Sequence, residues 1–150
     1  GKFDVIVHGC NCQCQMGAGI APQMAKAFGA DKFKMEAPEF RGDINKLGTS
    51  DYEKKWFITD APIKQGVNLT VVNAYTQFNY GSNHADGDKK PVDYEAITLC
   101  MRKINRIFAG QHIGLPRIGA GLAGGDWERI KTIIQTELKD CKVTVVNYNK

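Results

Sequence analysis

The sequence predicts an α/β domain built on a mostly parallel sheet with helices on its faces, and three observations carry that expectation. Short β-branched runs alternate with segments of helical period. Two of those runs pass directly into glycine-rich loops that open helices. An apolar share of 43% over 150 residues suits a single core, so one domain over residues 1–150 is expected.

The elements follow in order. Residues 4–8 (DVIVH) form a β-branched run that reads as a buried strand. Residues 19–29 place Ile20, Met24, Ala27 and Phe28 at helical spacing, with Pro22 tolerable in a first turn and Gly29 as a stop. Residues 30–53 mix charges, Pro38, Gly42 and Gly48, which suggests a short helix followed by irregular chain or an edge strand. Residues 55–59 and 68–74 read as two strands joined across a turn at 62–66. Residues 75–91 are polar and aperiodic and read as a long loop of the kind that carries function. Residues 93–108 form the clearest helix, with Ile97, Cys100, Met101, Ile104 and Phe108 on one stripe. A second strand, glycine-loop, helix unit follows at 113–117, 119–125 and 126–138, with Asp126 as N-cap, and residues 143–148 close the chain as a strand.

Composition excludes several classes. No run approaches the roughly 20 apolar residues of a membrane helix, and no secretory signal opens the chain, so a cytoplasmic, membrane-free protein is expected. Five cysteines, three crowded at Cys10, Cys12 and Cys14, make no disulfide framework and point to reduced thiols. A net charge of +4 gives a mild preference for anions, but no basic stripe interleaves with aromatics to suggest sequence-specific nucleic-acid binding.

The chemistry concentrates in the two glycine loops. The first amides of a helix lack internal partners and carry partial positive charge, and glycine lets such a loop close around an anion. Two such loops at the ends of neighbouring strands would share one crevice and hold a diphosphate-bearing small molecule mainly by backbone. Gly119, Gly121 and Gly124 also spell G-x-G-x-x-G, but a dinucleotide fold wants an acidic residue ending the next strand, and Asp140 precedes that strand. Glycines serving only tight turns remain an alternative for either loop alone. Alternating cysteines beside His8 do not match zinc-ligand spacing, so neither metal nor cofactor is expected. A catalytic thiol near the helix start stays open beside the plainer reading of buried cysteine.

His8, Gly9, Cys10 and Asn11, then Gly17, Ala18, Gly19 and Ile20, and later Leu115 to Leu122 (LPRIGAGL) resemble the two signature loops of the macro domain family. The likeness is strongest to the branch of ADP-ribose 1″-phosphate phosphatases and terminal ADP-ribose glycohydrolases. It covers nearly the whole chain, although the middle aligns loosely. The resemblance implies a three-layer α/β/α fold with a mostly parallel mixed sheet, and binding of ADP-ribose or its 1″-phosphate, with ADP-ribosylated macromolecules as further partners. It puts Asn11 at the distal ribose, Gly17, Ala18, Gly19 and Ile20 beside that ribose and the diphosphate, and Gly119, Ala120, Gly121, Leu122, Ala123 and Gly124 around the diphosphate's other side. Asn147 or Tyr148 would touch the adenine. The family's adenine-contacting aspartate belongs to a segment preceding the first buried strand, and this sequence begins almost at that strand. The counterpart is either missing or lies outside this sequence, along with a first N-terminal strand.

The glycohydrolase branch uses a lysine and an aspartate where this chain has about Ala74 and Ala123, which argues against lysine-dependent removal of ADP-ribose. The phosphatases share His8 within H-x-C-N-C and a stretch like Ser82 to His84. Hydrolysis of ADP-ribose 1″-phosphate is therefore the expected activity, with His8 as proton exchanger, Asn11 orienting ribose or water, and His84 contacting phosphate or gating. A non-catalytic ADP-ribose reader, or a hydrolase removing ADP-ribose or acetyl groups, is the alternative.

Overall fold

The computed structural model describes residues 3–16, 20–59, 64–77, 93–120 and 125–146. Its five strands are β1 (Val5–Asn11), β2 (Ser50–Thr59), β3 (Gln65–Gln77), β4 (His112–Leu115) and β5 (Lys142–Val145). They form one sheet in the order β2-β3-β1-β4-β5. Pairing is parallel for β1 with β3, β1 with β4, and β4 with β5, and antiparallel only for β2 with β3. The mostly parallel mixed sheet expected from the sequence is therefore observed.

Helices α1 (Ala21–Phe28), α2 (Tyr94–Phe108) and α3 (Trp127–Glu137) cover the two faces. Side-chain alternation along β1 divides the core. Val5 and Val7 join Val72 and Ala74 against Ile97, Met101 and Ile104 of α2 and Ile130 and Ile134 of α3. Ile6 packs on the other face with Val71, Met24 of α1, Ala30 and Phe33. Central β1 thus sends its chain to one side through α1, whereas β3 crosses back over β1 to β4 through α2. The reversal lays helices on opposite faces and leaves the loops after β1 and β4 diverging from adjacent parallel strands. In open α/β sheets a crevice forms at such a point.

Most boundaries hold for local reasons. Asp93 caps α2 by accepting from the Ala96 amide at 3.0 Å, and Asp126 caps α3 through the Glu128 amide at 3.1 Å. α1 has Pro22 in its first turn and ends at Gly29 in the left-handed region (φ 66°), as its sequence predicts.

Three expectations need correction. Residues 30–46 are four single 3-10 turns (Ala30–Lys32, Lys34–Glu36, Pro38–Phe40, Ile44–Lys46) rather than one short helix. β2 begins at Ser50 because its whole length pairs with β3, and β3 runs on to Gln77 because Cys10 and Asn11 pair with Tyr75 and Gln77. The predicted loop thus starts after Gln77, and its remainder at 78–91 lies outside the described residues, as does the end of the last predicted strand beyond Val146. No described helix is long and apolar enough to cross a membrane.

Candidate functional site

The first loop leaves β1 at Asn11, whose side chain serves as a local staple. Asn11 Oδ1 accepts from the Gln13 and Gln15 amides at 3.0 and 3.2 Å, and Nδ2 donates to the Gln15 carbonyl at 2.8 Å. That closed turn puts Cys14 in the left-handed region (φ 59°), a strained position for a residue with a Cβ. A second set of contacts ties the turn to the 3-10 segment. The Gly42 amide donates to the Cys12 carbonyl at 2.7 Å, and buried Lys46 Nζ lies 3.5 Å from that carbonyl and 3.3 Å from Cys14 Sγ. Asn11 is 8% exposed, and its amide is engaged with its own loop rather than open to a ligand.

The second loop is tied off at its base. The Gly125 amide donates to the Gly119 carbonyl at 2.7 Å, with Gly119 at φ 77°. Only glycine fits at 125: a Cβ there would fall 2.5 Å from Gly119 O and 2.6 Å from Ile130 Cδ1. Ala120 donates back to the Arg117 carbonyl at 3.2 Å, so the chain doubles back before entering the loop. β4 lies directly beside β1, so the two loops do leave neighbouring parallel strands.

Between their bases lies a largely apolar cavity of about 450 Å³. Its walls are Phe3, Ile6 and Val7 from the β1 side, Ile20, Gln23 and Met24 from the start of α1, and Gly114, Leu115, Pro116 and Val146 from β4 and β5. The volume suits a small-molecule site. Ile20, expected as a ligand residue, lines it, and the base of the second loop at Pro116 is its rim. Most of these lining residues were not legible as site residues. They come from four separate stretches of chain, and only Ile20, Leu115 and Pro116 belong to a recognisable motif.

His8 is corrected. Expected to exchange protons with a ligand, it has no solvent exposure. Its Nε2 lies 2.6 Å from Asn73 Oδ1, and Asn73 Nδ2 donates to the Ala30 carbonyl at 3.0 Å. Asn73 Oδ1 can only accept, so Nε2 carries the proton and donates. Burial lowers the imidazole pKa to about 4, outweighing the opposing pull of Asn73. His8 is a neutral structural residue joining β1 to β3.

A neutral buried histidine also has a stability signature. The unfolded chain takes up a proton near pH 6.5, whereas the folded chain resists until about pH 4. The His8 contribution is therefore complete above pH 6.5 and is lost progressively down to pH 4, a total of about 3 kcal/mol. Glu36, raised chiefly by burial, acts with the opposite sign as it protonates. Urea unfolding between pH 7 and pH 4 should show a stability loss that is absent in His8→Asn. A variant with the same acid slope as the unmodified protein would contradict the assignment.

The cysteines carry no nucleophile at β1. Cys10 and Cys12 lie two positions apart, the spacing that puts both on one face of an extended chain. Both are buried against Tyr75. Burial raises Cys10 well above the usual thiol value and Cys12 to about 11, which keeps both protonated near neutrality. All five cysteines are free. Among the described residues no three His, Cys, Asp or Glu side chains could hold a metal ion.

Asp126, weighed as a base, is occupied as the α3 cap. Ala74 is fully buried in β3. Gly17, Ala18, Gly19, Gly121, Leu122, Ala123, Gly124, His84, Asn147 and Tyr148 lie outside the described residues.

A sheet of this order, with loops leaving adjacent parallel strands and a cavity between their bases, defines an α/β/α protein with a crevice at the ends of its central strands. No family model matches the chain. The chain is 34% identical over 151 residues to an uncharacterised 17.5 kDa protein from the tk-vs intergenic region of Enterobacteria phage T4, covering 95% of this chain and 85% of that protein. It is 28% identical to an ADP-ribose 1″-phosphate phosphatase of Candida albicans, covering 90% and 82% respectively. Its fold matches the macrodomain of Mycobacterium tuberculosis DarG with a TM-score of 0.61, at 19% identity over 100% of this chain and 91% of that one. It also matches the Oceanobacillus iheyensis macrodomain with ADP at a TM-score of 0.57, 16% identity, and 100% and 78% coverage. The chain has the macrodomain fold of these structures and is related in sequence to the phage T4 protein.

Proposed function

We propose that the protein binds ADP-ribose in the β1/β4 crevice and acts on its 1″-phosphate. The observation that carries the binding is the pairing of two tied glycine loops at adjacent parallel strands with an apolar cavity at their bases. The cavity takes the flat adenine, and the loop amides take the diphosphate. ADP bound to the Oceanobacillus macrodomain and the activity named for the Candida relative support this choice of ligand.

Hydrolysis would attack phosphorus with water, break the bond to the ribose oxygen, and yield ADP-ribose and inorganic phosphate. Loop amides would stabilise charge on the phosphoryl oxygens. With His8 withdrawn, the proton for the leaving oxygen falls to His84. One observation favours a reader instead: among the described residues, His8 is buried in the sheet and Asp126 is engaged as the α3 cap.

Calorimetry with ADP-ribose, and phosphate release from ADP-ribose 1″-phosphate, separate the two. The phosphatase reading predicts binding and release, with release abolished in His84→Ala; binding without release makes the protein a reader. Asn11→Ala should weaken ADP-ribose about tenfold or more, because three backbone groups of the first loop lose their partner. Unchanged affinity in that variant would separate the first loop from binding.

A further inference from the structure

The hydroxyl of Thr76 is unaccounted for. Thr76 has no solvent exposure, and its Oγ1 is one of two buried side-chain oxygens or nitrogens among the described residues without a hydrogen-bond partner. The other, Ser50 Oγ, lies at the start of edge strand β2. Thr76 stands near the carboxyl end of β3, where the ladder to β1 is irregular between Cys10 and Asn11. Its backbone is fixed, since its carbonyl accepts from the Asp93 amide at 3.1 Å. A Cβ on Gly9 would lie 3.0 Å from Thr76 Oγ1 and 3.2 Å from Ile118 Cγ2. The hydroxyl therefore sits over Gly9, beside the residue that leads into the second glycine loop.

Strand order gives this position meaning. The cavity assigned to adenine lies on the β4 and β5 side of β1, and the loops after β1 and β4 leave neighbouring parallel strands. A ligand running from that cavity across the loops brings its other end over β1 and β3, where Thr76 is. We propose that the missing partner of Thr76 Oγ1 arrives with the ligand: the hydroxyl donates to an oxygen at the distal end of ADP-ribose, directly or through one water trapped with it. This rests on the ADP-ribose reading above and makes Thr76 a residue that tells ADP-ribose from ADP. A buried hydroxyl left without a partner is a cost to the ligand-free fold, which the ligand relieves.

The test is calorimetry of unmodified protein, Thr76→Val and Thr76→Ser with ADP and with ADP-ribose, together with their melting temperatures. Thr76→Val keeps the shape and removes the hydroxyl. It should bind ADP-ribose about tenfold more weakly, bind ADP unchanged, and melt no lower than the unmodified protein, while Thr76→Ser restores ADP-ribose affinity. Equal weakening toward both ligands with a lowered melting temperature would make Thr76 merely structural, and unchanged ADP-ribose affinity would remove it from the site. Unmodified protein that binds neither ligand would overturn the ADP-ribose reading itself, and this inference with it.

Discussion

Gly125→Ala is expected to lose ADP-ribose affinity by at least about 100-fold and to destabilise the fold by about 1–3 kcal/mol. The reason is space: the new Cβ would fall 2.5 Å from a backbone oxygen, Gly119 O, and 2.6 Å from Ile130 Cδ1 in the core. Gly119 O is also the acceptor that ties the loop, so relief of the clash lengthens the 2.7 Å bond from Gly125 and opens the loop base. Donors aimed at a diphosphate lose their value when displaced by an ångström. Gly110→Ala is the control. It too replaces a glycine, at φ 85°, but nothing stands within 4 Å of the added Cβ, so it should cost about 1 kcal/mol of strain and leave binding intact. Calorimetry and urea unfolding of both variants decide the matter. Wild-type affinity in Gly125→Ala would show that the tied base does not shape the ligand loop.

Lys46→Met is expected to destabilise the protein by about 3–5 kcal/mol. Lys46 and Glu36 have side chains 1% and 2% exposed and stand 3.7 Å apart. Tyr75 donates its hydroxyl to Glu36 at 2.7 Å, and the Lys46 ammonium lies 4.6 Å over the Tyr75 ring. Burial pushes the Tyr75 phenol far above its ordinary value, so it stays a donor. Methionine fills the space of the lysine stem but leaves the Glu36 carboxylate buried without its counter-ion. Adding Glu36→Gln removes that charge and should recover part of the loss. The lysine also holds the first loop through the Cys12 carbonyl and Cys14 Sγ, so the rescued double variant should regain stability before ligand affinity. A single-variant cost under about 1 kcal/mol in urea unfolding would contradict the buried pair.

What the sequence revealed follows from how local each feature is. The stripe Ile97, Cys100, Met101, Ile104 and Phe108 announces α2 because helical period alone selects one face, and all five side chains are buried. The glycine loops were legible because glycine and strand-to-loop order are local signals. His8 was misread because alternation places a side chain on one face of a strand without saying what covers that face. Here its Nε2 is taken by Asn73, 65 residues away in sequence, which is itself bonded to Ala30. Glu36 and Lys46 looked like ordinary charges in an irregular stretch, and only the folding of that stretch over Tyr75 buries them. The cavity could not be read at all, because Phe3, Met24, Leu115 and Val146 converge only once β4 lies beside β1.

The most direct measurement is an amide NMR titration of the unmodified protein with ADP-ribose. The account predicts saturable shifts concentrated at residues 17–20 and 119–125 and at the cavity residues Ile6, Met24 and Leu115, with the β2 edge around Lys54 unmoved. Shifts confined to β2, or no shifts at millimolar ligand, would contradict it.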